Sequence, residues 1–512
     1  MRCLVYVSKY DAAISCVWEI VAFSERYCIC LNTRMIMRIF VVICLALYVC
    51  SSCSFTPRAR WVMTTKDSLW VEREELVSAL VDTIDTIDVK VLTKEPQQRV
   101  EGFGACFNEA GWLALNNLDP QIRERVMEEL FFPGLGANFT LCRMPIGAND
   151  FARDWYSYDE VDGDFSMDHF TIANDLQTLI PFIQNALKYQ PDLRLWASPW
   201  CPPSWMKYNK HYASVPTNES LEKCYQNDLP MDQIGREGTD MFIQDSLYLR
   251  AYALYFSKFI EAYQKQNISI FAVMPQNEFN SPQIFPSCCW TAVSLANFIG
   301  KYLGPALRER KVDIMLGTVE RANELLIDTI MADSLCRTYI KGIGLQWAGR
   351  KALPGIHKRY PQMPIYQTEQ ECGDGNNDWK SAFYAWNLMR YNFEHGVSAY
   401  MYWNIALECC ERSRWGWAQN SLVVVDPKEK NYRFTPEYYI MKHASHYVLP
   451  DAYVLKTEGA FTNILAFRNE DDSIVLIIAN ETSESRTISV QVGDRVYKPC
   501  VKPYSISTLF ID

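Results

Sequence analysis

Eight short apolar runs, each ending in polar or aromatic side chains, recur through the middle of this chain. They are Val100–Phe107, Phe139–Pro145, Leu193–Pro199, Ile270–Met274, Asp313–Thr318, Gly342–Trp347, Ile365–Thr368 and Ala399–Trp403. Runs of this length, bounded by proline or polar residues, predict strands covered on both faces, as in a parallel sheet. Helical patterns lie between many of them. Asp119-Pro120 reads as an N-cap followed by proline at the first helical position, opening Gln121 to Leu130. Tyr252, Phe256, Phe259, Ile260 and Tyr263 share one face at helical spacing, as do residues of Trp379 to Phe393. Eight strands with intervening helices are what a closed (β/α)8 barrel needs, and residues 98–447 are assigned to it.

The two ends of the chain follow a different pattern. Arg60–Thr65 and Ile87–Leu92 mix or alternate polar and apolar residues. Ile464–Arg468, Ser473–Ile478, Thr487–Val492 and Ser507–Phe510 are further short β-type runs. Too few strands stand at the N-terminal end for a stable sheet, so 54–97 and 448–512 are expected to join into one small side β-sandwich. Ahead of it, Met37-Arg38 precedes the apolar run Ile39–Val49, the pattern of a signal peptide over 37–53 and too short for a membrane span. Residues 1–36 are expected to be an upstream extension outside the fold, with translation starting at Met35 or Met37. Cys50-Ser51-Ser52-Cys53 resembles a bacterial lipoprotein cleavage site, in which Cys53 carries the lipid and anchors the chain to a membrane. An ordinary signal peptide is the alternative, and both imply an exported protein, periplasmic or at the cell surface of a bacterium.

Composition narrows the partners. The formal charge is −10 and no long basic run occurs, which argues against nucleic acid. Aromatic residues make up 13% of the chain, 15 of them Trp, which suits packing and also the stacking of sugar rings. Seven of the 18 cysteines lie at or before position 53, and those beyond it show no CxxC spacing, so they are expected to be mostly small buried hydrophobes. No Walker or dinucleotide glycine pattern appears. His443 and His446 lack carboxylate neighbours in sequence and read as surface or helix-packing residues rather than metal ligands. No metal or organic cofactor is expected.

The strand tips carry the candidate chemistry. Ser269–Asn280, SIFAVMPQNEFN, ends its strand at Asn277-Glu278, and Pro364–Glu369 ends another at Glu369. Two strand-tip carboxylates facing one cavity can hydrolyse a glycosidic bond, one as proton donor and one as nucleophile or activator of water. Glu371 competes with Glu369, but the strand pattern ends at Glu369 and a turn begins at Cys372-Gly373. The other tips bring Asn108-Glu109, Arg143, Trp200, Gln346-Trp347 and Trp403-Asn404 to the same rim.

The segments EGFGACFNEA, LCRMPIG, LWASPWCPPSWMK, MPQNEF, YQTEQECG and YWNIAL together resemble glycoside hydrolase family 30, the glucosylceramidase-like family. The resemblance covers nearly all of the chain after the signal. It implies a (β/α)8 TIM barrel with a side β-domain, Glu278 as acid/base, Glu369 as nucleophile and Asn277 at the sugar 2-hydroxyl. Glu109, Trp200 and Trp403 match positions around the bound sugar, Arg143 would favour the charged Glu369, and Trp347 belongs to the substrate-binding set. Two departures stand out. Asn108-Glu109 replaces a Thr-Asp type pair, and Gln346-Trp347-Ala348 replaces His-Trp-Tyr, which removes a tyrosine that could orient the nucleophile.

The resulting expectation is an exported retaining β-glycosidase acting on β-linked glucosides or glucans. The alternatives are a retaining enzyme for xylose, fucose or galactose linkages, and a glycan-binding barrel without turnover. The carboxylate pair favours an enzyme, since a binder has no use for two buried, coupled charges.

Overall fold

The computed structural model describes residues 57–512. The upstream extension, the signal segment and Cys53 lie outside the described residues.

The barrel strands are Gly102–Cys106, Leu141–Ile146, Arg194–Pro199, Ile270–Val273, Asp313–Val319, Ile340–Leu345, Ile365–Gln367 and Val397–Glu408. Each pairs in parallel with the next. The eighth also pairs with the first, which closes the barrel. Its interior holds Leu141, Trp196, Ala272, Met274, Met315, Tyr366, Ala399 and Met401 in one packed cluster. Strands one and two approach so closely that a Cβ at Gly104 would stand 1.9 Å from the Leu141 carbonyl oxygen, so only glycine fits.

Helices coat the outside. Pro120–Phe131 begins at the proline as expected, although Asp119 makes no side-chain cap. Ser246–Gln264 buries Tyr252, Phe256, Phe259, Ile260 and Tyr263, and Trp379–Glu394 buries Trp386, Met389 and Phe393. A hairpin of Ser421–Asp426 and Asn431–Phe434 extends the eighth strand, an addition the sequence pattern did not suggest. The insertion after strand three is pinned by Lys207. Its buried ammonium donates to the carbonyls of His211, Tyr212, Ala213 and Ser287 at 2.6–3.2 Å, which ties this wall to the loop after strand four.

The side domain interleaves both chain ends. Arg58–Thr65 pairs antiparallel with Ser505–Ile511, and Val89–Arg99 pairs antiparallel with Tyr453–Gly459. Within Ile474–Asn480, residues Ile474, Leu476 and Ile478 join the domain's own core, whereas Val475, Ile477 and Ala479 join the core of the barrel. Ile464 and Ala466 divide from Leu465 and Phe467 in the same way. Strands buried on both faces are continuously apolar. That is why these runs lack alternation, and it makes the domain a brace along the barrel. Among the described residues every cysteine is free, and most are buried.

His443 locks the two parts together. It lies on helix Pro436–Ser445, and its ring is fully buried with Nδ1 2.8 Å from Thr508 Oγ1 and Nε2 2.8 Å from Thr64 Oγ1. Thr508 Oγ1 donates to the His443 carbonyl, so it accepts from Nδ1–H, and Nε2 takes the Thr64 proton. The ring is thus neutral, and burial pushes its pKa down to about 3. Below pH ~6.5 the unfolded chain gains a proton that the folded ring refuses, so stability falls with pH until about 3. This one group should contribute a slope of up to ~1.4 kcal/mol per pH unit. Urea midpoints of the parent and His443→Asn between pH 7 and 4 should converge as the pH falls; parallel curves would contradict the assignment.

Candidate active site

Strand tips four, six and seven and the Arg143 side chain of strand two meet at the C-terminal mouth of the barrel, where such barrels place chemistry. At the centre is a charge with no access to water. Arg143 is 0% exposed, and its guanidinium donates to Glu369 Oε2 at 2.8 Å, Asn277 Oδ1 at 2.6 Å, Ser198 Oγ at 2.9 Å and the Thr368 carbonyl at 3.3 Å. Three indoles, Trp196, Trp200 and Trp403, surround it with centroids 5.0, 4.3 and 5.6 Å from Cζ. Their faces exclude water and commit the positive charge to Glu369.

Glu369 accepts from three side chains. Besides Arg143, the Trp347 indole Nε1–H donates to Oε1 at 2.8 Å and Gln346 Nε2 donates to Oε2 at 3.3 Å. The donor sought in place of the absent tyrosine is therefore the indole of Trp347. Its backbone sits in the left-handed region, φ 48°, as does that of Glu278, also φ 48°. Such conformations are strained for bulky side chains, by about 1–2 kcal/mol each, and here they occur where two side chains converge on one point.

Glu278 is the second carboxyl. Gln346 Nε2 donates to its Oε1 at 3.1 Å and Gln283 Nε2 to its Oε2 at 3.0 Å. Its backbone N–H donates to Thr318 Oγ1 at 2.9 Å, and the same hydroxyl donates to Asn277 Oδ1 at 3.0 Å. Asn277 Oδ1 thus faces Thr318, Arg143 and Gln346, all donors, which orients the amide and leaves its nitrogen without a partner among the described residues.

Burial pushes both carboxyl groups upward. The rise is larger for Glu278, where the neighbouring charges of Glu369 and Glu320 add to desolvation. For Glu369 desolvation is opposed by Arg143, Trp347 and Gln346. The surroundings therefore favour the proton on Glu278 and the charge on Glu369. Burial likewise pushes a third carboxyl, Asp150, well above its usual range, and Glu369 adds to that rise. Among the described residues no group of three or more His, Cys, Asp or Glu is placed to hold a metal ion.

The structure brings together Glu278, Glu369, Arg143, Asn277, Trp347, Trp200 and Trp403, and among the described residues Glu109 makes no hydrogen bond to this cluster. The Glu109 carboxylate is consumed by the Asn174 amide at 2.8 Å, the Thr178 hydroxyl at 2.9 Å and the Arg153 backbone N–H at 3.0 Å. It opens helix Glu109–Asn116, and its long arm reaches the segment after strand two instead of the carboxylate pair. Trp200 and Trp403, 1% and 0% exposed, pack as the walls of Arg143 rather than standing as open platforms. Glu371 is bound by Arg350 and Tyr384, outside the cluster. Gln346 was named at its strand tip but given no role, and Ser198, Thr318 and Gln283 were given none. Ser198 and Thr318 were legible at the ends of apolar runs, whereas Gln283 carried no mark beyond ordinary polarity.

The family model "Glycosyl hydrolase family 30 TIM-barrel domain" matches residues 100–224 and 233–448, and "Glycosyl hydrolase family 30 beta sandwich domain" matches 456–509. "Putative glucosylceramidase 1" of Caenorhabditis elegans is 27% identical over 473 residues, 86% of each chain. "Endo-1,6-beta-D-glucanase" of Neurospora crassa is 24% identical, over 77% of this chain and 81% of that one. The crystal structure of SrfJ from Salmonella typhimurium superposes with a TM-score of 0.77 at 22% identity, over 88% of this chain and 99% of that one. With barrel and sandwich both matched along their lengths, the chain belongs to glycosyl hydrolase family 30 and is a glycoside hydrolase.

Proposed function

We propose that this enzyme cleaves β-linked glucosides or glucans with retention of configuration, Glu369 as nucleophile and Glu278 as acid/base. The observation that carries the reading is the unequal support of the two carboxyls. Arg143 and Trp347 hold the charge of Glu369 and neither reaches Glu278. A single nitrogen, Gln346 Nε2, bonds both carboxylates, so their nearest oxygens lie within two hydrogen-bond lengths. That spacing suits the ~5–5.5 Å of a retaining pair better than the ~6.5–9.5 Å that leaves room for water in an inverting one.

In the first step Glu369 attacks the anomeric carbon while the bond to the leaving oxygen breaks, and that oxygen takes the proton of Glu278. In the second, Glu278, now a carboxylate, removes a proton from water, which attacks the same carbon and releases Glu369. The free nitrogen of Asn277 supplies a donor for the sugar 2-hydroxyl. The named activities of the relatives, glucosylceramidase and endo-1,6-β-glucanase, support a β-glucosidic bond. Export through the segment 37–53, with Cys53 as lipid carrier or with an ordinary signal peptide, belongs to the same proposal.

A panel of aryl β-glycosides, glucoside first, should show release by the chain from Cys53 onward. Glu369→Gln should abolish it, and Glu278→Gln should lower it roughly 10²–10⁴-fold for substrates that need a proton. NMR should find the β-anomer as first product; the α-anomer would refute retention. Activity should fall on the acid side as Glu369 protonates and on the alkaline side as Glu278 ionises, both limbs lying above the ordinary carboxylate value of ~4.3. Glu278→Gln should lose the alkaline limb. Mass spectrometry of the native protein should find a mature N-terminus at or near Cys53, and a chain that retains residues 1–36 would refute the signal segment.

A further inference from the structure

We infer that Gln346 is a positioning residue that serves both chemical steps, its amide nitrogen following the negative charge from Glu369 to Glu278. The inference rests on the two-glutamate reading above. In the free enzyme the charge lies on Glu369, held by Arg143, Trp347 and Gln346. Once Glu369 forms its bond to the anomeric carbon and the leaving group carries away the proton of Glu278, Glu369 is a neutral ester. The charge is then on Glu278, beyond the bonds of Arg143 and Trp347. Among the described residues, Gln346 Nε2 is the one donor bonded to both carboxylates, 3.3 Å from Glu369 Oε2 and 3.1 Å from Glu278 Oε1.

Three features fit the role. The amide cannot flip without loss, because its oxygen accepts from Thr368 Oγ1 at 2.9 Å and from Arg143 Nη1 at 3.5 Å, so the nitrogen must face the carboxylates. The side chain is 0% exposed, so no water competes for its two protons, which the carboxylates share with Asn277 Oδ1 at 3.3 Å. It also carries no charge at any pH. It therefore lowers the cost of whichever carboxylate is ionised without adding a titration of its own or favouring one partner permanently, as a cation would. Gln283, 3.0 Å from Glu278 Oε2, assists in the second state but makes no bond to Glu369.

The test uses Gln346→Met, which keeps the shape and removes the donor, and Gln346→His, which restores a ring N–H. Glutamate 13C NMR titration of substrate-free protein, with Glu278→Gln and Glu369→Gln for assignment, reads the pair without turnover. In Gln346→Met both carboxyl titrations should move up by roughly one pH unit, since each ionised form loses a donor. Both limbs of the kcat/KM profile should move with them, and Gln346→His should bring them part of the way back. A Met variant that is folded by circular dichroism and titrates like the parent would overturn the inference, even with low kcat. A shift confined to one carboxyl would overturn it too. Absence of hydrolysis by the parent would instead count against the proposed reaction, and the NMR titration would still decide the role of Gln346.

Discussion

The structure depends on a guanidinium sealed inside the mouth of a barrel. An unpaired charge there would cost many kcal/mol, and the guanidinium's Nη atoms are bonded to acceptors while three indoles flank it. Meeting that need supports the charge of Glu369 against the cost of burial, orients the amide of Asn277 and packs Trp200 and Trp403 into walls. The same demand biases the second carboxyl. With Glu369 charged nearby and burial on every side, Glu278 is pushed far toward its protonated form. One buried cation thereby separates the electrostatic surroundings of two chemically identical residues.

The support of this cluster comes from several strands at once. Ser198 arrives from strand three, Thr318 from strand five, Gln346 and Trp347 from strand six, and Thr368 with Glu369 from strand seven. A parallel barrel brings all these tips to one end, and short hydrogen bonds between neighbouring tips then set each rotamer. The side domain holds the barrel from outside. Its strands give alternate residues to two cores, and His443 joins two of its adjacent strands to a barrel helix.

Much of this could be read along the chain. The eight apolar runs matched the eight strands to within a few residues, because a strand buried on both faces must be apolar throughout. Glu278 and Glu369 were visible because each ends such a run. Glu109 was also visible at a strand tip, yet its hydrogen bonds go to the segment after strand two. Its backbone had already entered a helix, and Asn174, Thr178 and Arg153, all more than 40 residues away, provided a better set of partners. The strand Ser68–Val77 escaped notice because most of its side chains face solvent and carry no apolar rhythm.

The sequence by itself determined the order of the eight barrel strands, the joining of the two chain ends, and the positions of both carboxyls. These follow from local periodicity and from where polar residues interrupt it. Tertiary structure alone decided that an indole donates to Glu369 where a tyrosine is absent, and that Gln346 spans the pair. Those outcomes depend on distances between residues far apart in the chain and on burial that removes water. Neither is written in the spacing of any single segment.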